Sequence, residues 1–253
     1  MAADPSSPQD RLWKPVADEA YLQEVGEQVV VDRPVEAVAV LGGEVYTVVD
    51  GALRTLRDGA LVDAGGAPKG IRRMKALADA LWVATDGGVY RFDGTTWARI
   101  DDRGDIQDFC VHRGAIHAAG PNDVFRFDNG AFVNIKPEGG YLSNDSTVVM
   151  EDFSQVLADP VEIGPVRRIA SYADTLYLLR PPGIALLDGK TLVPSPIDWG
   201  AAPSNEARDM LAAGSRLCLA TDRGVGVLRG MAMTALRGAD GLPYEDTTCL
   251  AAG

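Results

Sequence analysis

The sequence predicts an all-β fold, a β-propeller of four-stranded antiparallel blades. Three observations predict it. A strand–turn–strand unit recurs along the chain, its copies are spaced by about 40 residues, and Asp-Gly or Asn-Gly pairs close the copies at matching places.

The clearest copy reads Ala80-Leu81-Trp82-Val83-Ala84-Thr85-Asp86-Gly87-Gly88-Val89-Tyr90-Arg91-Phe92-Asp93-Gly94. Others run over 115–130, 175–189 and 216–230, and a weaker one over 44–59. Each holds a short apolar strand, a turn of Gly, Pro, Asn or Asp, and a second strand. Asp93-Gly94, Asn129-Gly130 and Asp188-Gly189 tolerate the positive φ that tight hairpins need, so each marks a hairpin. A further apolar strand precedes every copy, at 35–40, 71–77, 106–111, 166–170 and 207–212. A fourth follows most copies, at 97–100 and 131–135 for example. Tyr46, Trp82, His117, Tyr177 and Cys218 are equivalent in the second strand, spaced by 36, 35, 60 and 41 residues. A β-sandwich or an open meander requires no such self-similarity.

The blades fill 35–253: about five, plus the start of a further one at 241–253. That count suits part of a ring of six to eight blades. In a closed five-blade ring, the two ends would share a blade. Residues 1–34 form an N-terminal arm in which Leu12-Trp13-Lys14-Pro15-Val16 resembles the closing strand Trp97-Ala98-Arg99-Ile100. An open ring exposes apolar blade faces and unpaired edges, so neighbouring blades or another chain are expected there.

The segment 81–94, together with Ala220-Thr221-Asp222-Arg223-Gly224-Val225, is similar to the repeat of two-component-regulator propellers. Gly241-Leu242-Pro243 followed by Thr247-Thr248-Cys249-Leu250 resembles that family's inter-blade segment. The resemblance covers most of 35–253 and is strongest in the second blade. It implies an extracytoplasmic sensor region, periplasmic or extracellular. Related propellers also occur in polysaccharide-degrading enzymes.

The net charge of −12 argues against nucleic acid as a partner, since nucleic-acid binding wants a basic face. No apolar run approaches the ~20 residues of a membrane helix. The opening Met-Ala-Ala-Asp-Pro-Ser-Ser-Pro has neither the basic start nor the apolar run of a signal peptide. Cys110, Cys218 and Cys249 are odd in number and widely spaced, and each lies in an apolar strand pattern. They read as small buried hydrophobes rather than disulfides or zinc ligands.

In a propeller the innermost strand of each blade lines the channel, and its first residues open on the mouth where ligands bind. Aligning those strand starts gives a first row of Glu36, Arg72, Gln107, Arg167, Arg208 and Thr247. The second row is Ala37, Arg73, Asp108, Arg168, Asp209 and Thr248, and an apolar row follows: Val38, Met74, Phe109, Ile169, Met210 and Cys249. In the second row Arg73 precedes Asp108 by one blade and Arg168 precedes Asp209 by one, which predicts inter-blade ion pairs. The first row holds too few acids to neutralise its arginines. Guanidinium groups gathered this way suit a carboxylate, sulfate or phosphate.

An insertion at about 137–165 enters the next blade on the same face and carries Tyr141, Asn144, Asp145, Glu151, Asp152 and Asp159. It is either a lid or a decorative hairpin. The candidate ligand-binding residues are therefore Arg72, Gln107, Arg167, Arg208, Glu36 and Tyr141. His117 falls in the aromatic packing row, so it reads as a blade-interface residue. His112 falls in the turn between first and second strands, and two histidines so placed make no metal cluster. Trp82 and Trp97 are explained by blade packing, while Trp13 and Trp199 are free to stack on sugars. No catalytic motif, cofactor fingerprint or metal-ligand spacing is present.

The functional expectation is a non-catalytic ligand-binding or sensor propeller that recognises an acidic glycan or similar anionic ligand at the channel mouth. The alternative is a secreted polysaccharide-active enzyme, a lyase on uronate sugars. There the arginines would neutralise the carboxylate and Tyr141 would be the base. A protein-interaction scaffold is a further alternative.

Overall fold

The computed structural model describes residues 29–136, 139–140, 163–181, 183–194, 201–230, 232–240, 242 and 245–250. Five antiparallel four-stranded sheets follow one another along the chain, as the repeats predict. Blade 1 comprises β1 (Val35–Leu41), β2 (Glu44–Val49), β3 (Ala52–Arg57) and β4 (Ala60–Asp63). Blade 2 comprises β5 (Ile71–Leu77), β6 (Ala80–Thr85), β7 (Gly88–Phe92) and β8 (Trp97–Asp101). Blade 3 comprises β9 (Asp108–His112), β10 (Ala115–Ala119), β11 (Val124–Asp128) and β12 (Ala131–Asn134). A two-residue strand β13 (Gly139–Gly140) then joins the outer edge of blade 4 in parallel. Blade 4 itself is β14 (Arg168–Tyr172), β15 (Thr175–Arg180), β16 (Gly183–Asp188) and β17 (Thr191–Pro194). Blade 5 is β18 (Ala207–Ala213), β19 (Arg216–Thr221), β20 (Gly224–Arg229) and β21 (Ala232–Leu236). Most of the N-terminal arm and of the 137–165 insertion, with Tyr141, Trp13 and Trp199, lie outside the described residues.

Alternation along each second strand builds the seams between blades. In β6, Leu81 and Val83 face blade 1, while Ala80, Trp82 and Ala84 face blade 3. In β15, Leu176 and Leu178 face blade 3, while Tyr177 and Leu179 face blade 5. Period-2 alternation thus makes both faces of an inner blade apolar. Four clusters seal the four seams between successive blades. On the outward face of blade 1, Val35, Val38 and Val40 are exposed.

At the other end, residues 245–250 lie against blade 5 in the place of a further inner strand. Thr247 donates its N–H to Thr221 at 2.9 Å, and Leu250 donates to the Asp209 carboxylate at 2.9 Å. Cys110 is buried as expected, but Cys218 is half-buried and Cys249 is exposed. These two sit beyond the last sealed seam, so the burial expected of all three holds for Cys110 alone.

The aromatic row fills the seams unequally. Trp82 packs on Phe109, Phe127 and Phe132 with ring centroids at 6.3, 5.0 and 5.9 Å. Trp97 stacks on Phe92, and Tyr177 meets Tyr172 edge-on. Between blades 3 and 4 the equivalent residue is His117, which meets His112 edge-on with centroids 5.3 Å apart. His112 shares a hydrogen bond with Ser171 at 2.9 Å, and the Nδ1–H of His117 donates to the Ala115 carbonyl at 3.1 Å.

Burial holds His117 down to a pKa of about 4; the Ala115 bond opposes this, and the nearby His112 and Arg126 add to it. Burial and Arg113 also depress His112, against Asp174 and Asp188. Both rings are therefore neutral in the fold near pH 7, whereas an unfolded histidine titrates near pH ~6.5. Below that value the unfolded chain binds protons that the fold excludes, so stability falls with pH. The expected loss is about 2–3 kcal/mol between pH 6.5 and 4 from His117. Urea unfolding at pH 7.5, 6 and 4.5 checks it, and His117→Phe should flatten the slope.

Candidate functional site

Three first-row residues sit at the same irregularity. The ladder between first and second strands skips one residue between Val35 and Ala37, between Ile71 and Arg73, and between Ala207 and Asp209. The skipped residues are Glu36, Arg72 and Arg208. In blades 3 and 4, Gln107 and Arg167 precede the ladder and donate their N–H groups to Ala119 at 2.7 Å and Leu179 at 2.8 Å. A β-bulge adds one residue to a strand and re-aims its side chain. In blades 1, 2 and 5 it turns one side chain out of the sheet at the mouth.

Directly below, the second row forms a knot of charge. Arg73 donates to Asp108 at 2.8 Å and lies 3.7 Å from Asp209. Lys75 reaches Asp108 at 2.9 Å, and Arg168 donates to Asp209 at 2.7 Å. One arginine of blade 2 thus touches blades 3 and 5, which places the inner strands around one axis. Both predicted pairs form, and Lys75 and the cross-axis contact join them. Asp108 is fully buried. Burial opposes its ionisation, but Lys75, Arg73 and the N–H of Ile169 hold its carboxyl below the usual carboxylate range. That N–H comes from blade 4, at 3.1 Å, so one carboxylate ties three blades together.

The first row divides. Arg72 pairs with Asp86 at 2.8 Å and also donates to the Gly104 carbonyl. Arg208 pairs with Asp246. Glu36 accepts from the Gly51 N–H at 3.0 Å, and Gln107 donates to the Asp105 carbonyl at 2.8 Å. The sequence suggested that the row lacks acids to neutralise it. For Arg72 and Arg208 the acids come instead from a turn of blade 2 and from the segment after blade 5. The side chain of Arg167 is exposed and has no partner among the described residues.

Beside Arg167 stands a residue the sequence reading missed. Arg180 ends β15, one position after the carbonyl that receives the Arg167 N–H. Its guanidinium is half-buried and donates to the Ile163 carbonyl at 2.7 Å. No carboxylate meets it among the described residues, and burial lowers its pKa from the usual arginine value. The signal was present in the repeat: Arg180 stands where blades 2 and 5 have Thr85 and Thr221. Those threonines close their turns by donating to Gly88 at 3.0 Å and Gly224 at 2.7 Å. Arg168, turned toward Asp209, also donates to the Arg167 carbonyl at 2.8 Å. Among the described residues, Arg167 and Arg180 thus have no carboxylate partner, whereas Arg72 and Arg208 do.

No family model and no curated protein sequence matches the chain. Solved structures do share its fold. The extracellular domain of a one component system from B. thetaiotaomicron aligns at 13% identity with a TM-score of 0.57, over 80% of this chain and 27% of that one. The extracellular domain of a hybrid two component system from the same organism aligns at 12% identity with a TM-score of 0.56, over 81% of this chain and 30% of that one. An ancestral GH74 enzyme aligns at 13% identity with a TM-score of 0.52, over 83% of this chain and 32% of that one. This chain spans less than a third of each of these proteins. The likeness establishes the propeller fold that the repeat predicted. Among the described residues, no helix is long and apolar enough to cross a membrane.

Proposed function

We propose that the chain is the ligand-binding part of a sensor propeller, working outside the cytoplasm, and that it holds an anionic ligand at the blade 4 side of the channel mouth. An acidic glycan is the class that fits best. One observation carries the reading. Arg167 and Arg180 lie beside each other at the mouth with no carboxylate partner among the described residues, while Arg72 and Arg208 are neutralised. The first-row candidate Gln107 lies on the neighbouring blade 3 and adds a hydrogen-bonding group, whereas Glu36 lies on blade 1. The extracellular sensor domains that share the fold support the sensory setting. The lyase alternative rests on Tyr141, which lies outside the described residues.

A cleft of reversed sign on a protein of net charge −12 focuses its field on an acidic ligand. Binding should therefore weaken as salt rises. Arg167→Ala should weaken an oligogalacturonate by about 1.5–3 kcal/mol with little loss of stability, the range for a hydrogen bond to a charged group. Arg168→Ala should instead lower stability, since it uncovers Asp209. Calorimetry with oligogalacturonate and a neutral oligosaccharide, beside thermal melts of both variants, tests this. Equal binding of acidic and neutral sugars, or unfolding of Arg167→Ala, would sink it.

A further inference from the structure

The seam between blades 3 and 4 departs from the others in a way that blade packing does not need. Large aromatic rings fill the blade 2|3 and 4|5 seams at this level. At the 3|4 seam His117 replaces them, and a cleft of about 820 Å³ opens beside it. The chain has two histidines, and both line this cleft.

Its chemistry is specific. The Nδ1–H of His117 is committed to the Ala115 carbonyl, so the neutral ring presents Nε2 as an acceptor, and that atom has no partner among the described residues. Phe127 and Leu187 supply an apolar wall. At the rim stand Arg126, bound to Asp128 at 3.0 Å, and Lys136, which has no partner among the described residues. An acceptor without a donor among the described residues calls for a ligand that carries hydroxyl groups. An ammonium at the rim without a partner among the described residues calls for a carboxylate.

We propose that this inter-blade cleft is a second binding site, distinct from the channel mouth, for a small hydroxylated carboxylate of sugar-acid type. A hydroxyl donates to His117 Nε2, its carbon skeleton lies on Phe127 and Leu187, and its carboxylate meets Lys136. The volume suits a monosaccharide or disaccharide, since small-ligand pockets run from about 300 to 1,000 Å³.

The two histidines make the test direct, because every imidazole signal in a proton NMR spectrum reports on this cleft. At pH 7.5, titration with glucuronate should move the histidine Hε1 resonances saturably, and glucose should move them far less. Lys136→Ala should weaken glucuronate about tenfold, as loss of a charge-assisted contact does. Val133→Trp places a large ring at an exposed lining position and should abolish the response without disturbing the core. Arg167→Ala should leave the response intact, which separates this site from the mouth. The proposal is overturned by any of three results: no movement up to about 50 mM, a range that covers even very weak binding; equal movement with glucose; or a response that survives both Lys136→Ala and Val133→Trp.

Discussion

Asp108→Ala is expected to cost the fold about 3–5 kcal/mol, the range for breaking a buried ion pair by removing one partner. The substitution leaves Arg73 and Lys75 facing each other without their shared carboxylate, and it strips the Ile169 N–H of its acceptor. Blades 2, 3 and 4 lose a common anchor in one step. Urea unfolding at pH 7.5 reads the loss. Asp108→Asn separates its two parts, because the amide keeps an acceptor for Ile169 but carries no charge. It should recover only part of the stability. A loss below about 1 kcal/mol for the alanine variant would show that the knot contributes no more than an exposed pair does.

Gly88→Ala should cost about 2–4 kcal/mol, from the strain of a disfavoured backbone conformation together with overpacking. Gly88 has φ of +137°, and an added Cβ would lie 2.3 Å from the Asp101 carbonyl. The obstacle is backbone, so no rotamer change relieves it. Gly224 repeats the geometry in blade 5, with φ of +121° and the Leu236 carbonyl 2.3 Å away, so Gly224→Ala should behave alike. Gly94→Ala is the control. Its φ is also positive, at +97°, but nothing lies within 4 Å of the added carbon. It should lose about 1 kcal/mol, the conformational cost alone. Thermal melts of the three variants should rank in that order.

The blades were legible because each one repeats the same local physics: alternating apolar strands joined by turns that need Gly, Asn or Asp. The second-row pairs were legible for a related reason. Arg73, Asp108, Arg168 and Asp209 occupy one position in successive blades, and buried charges in one position must find each other. The partners of Arg72 and Arg208 were not legible. Asp86 lies in a turn that reads as hairpin chemistry, and Asp246 stands one residue before the aligned rows, at the start of the incomplete sixth unit. Arg180 was hidden because the Arg-Pro-Pro-Gly turn looked like a variant of Thr-Asp-Gly-Gly. The bulge that aims the first row is also invisible to a reading in strict alternation, since it breaks that alternation by one residue. The inter-blade cleft follows from a residue that was identified, His117, but a packing role was expected of it. Only the empty volume beside the ring shows how far it falls short of Trp82.

The alternation of charge around the axis also bears on how the ring avoids assembling wrongly. Blades of near-identical pattern are interchangeable by hydrophobicity alone, and chains of this kind misassemble when one repeat docks on the wrong neighbour. Blades 2 and 4 present Arg73 and Arg168, whereas blades 3 and 5 present Asp108 and Asp209. Blade 2 docked on blade 4 would bring arginine against arginine, and blade 3 docked on blade 5 would bury aspartate against aspartate. Either mistake leaves desolvated like charges together, a penalty of the kind that excludes wrong partners at interfaces. The correct succession satisfies every one of them. The sign of this one residue in blades 2 to 5 thus weighs against docking blade 2 on blade 4 or blade 3 on blade 5.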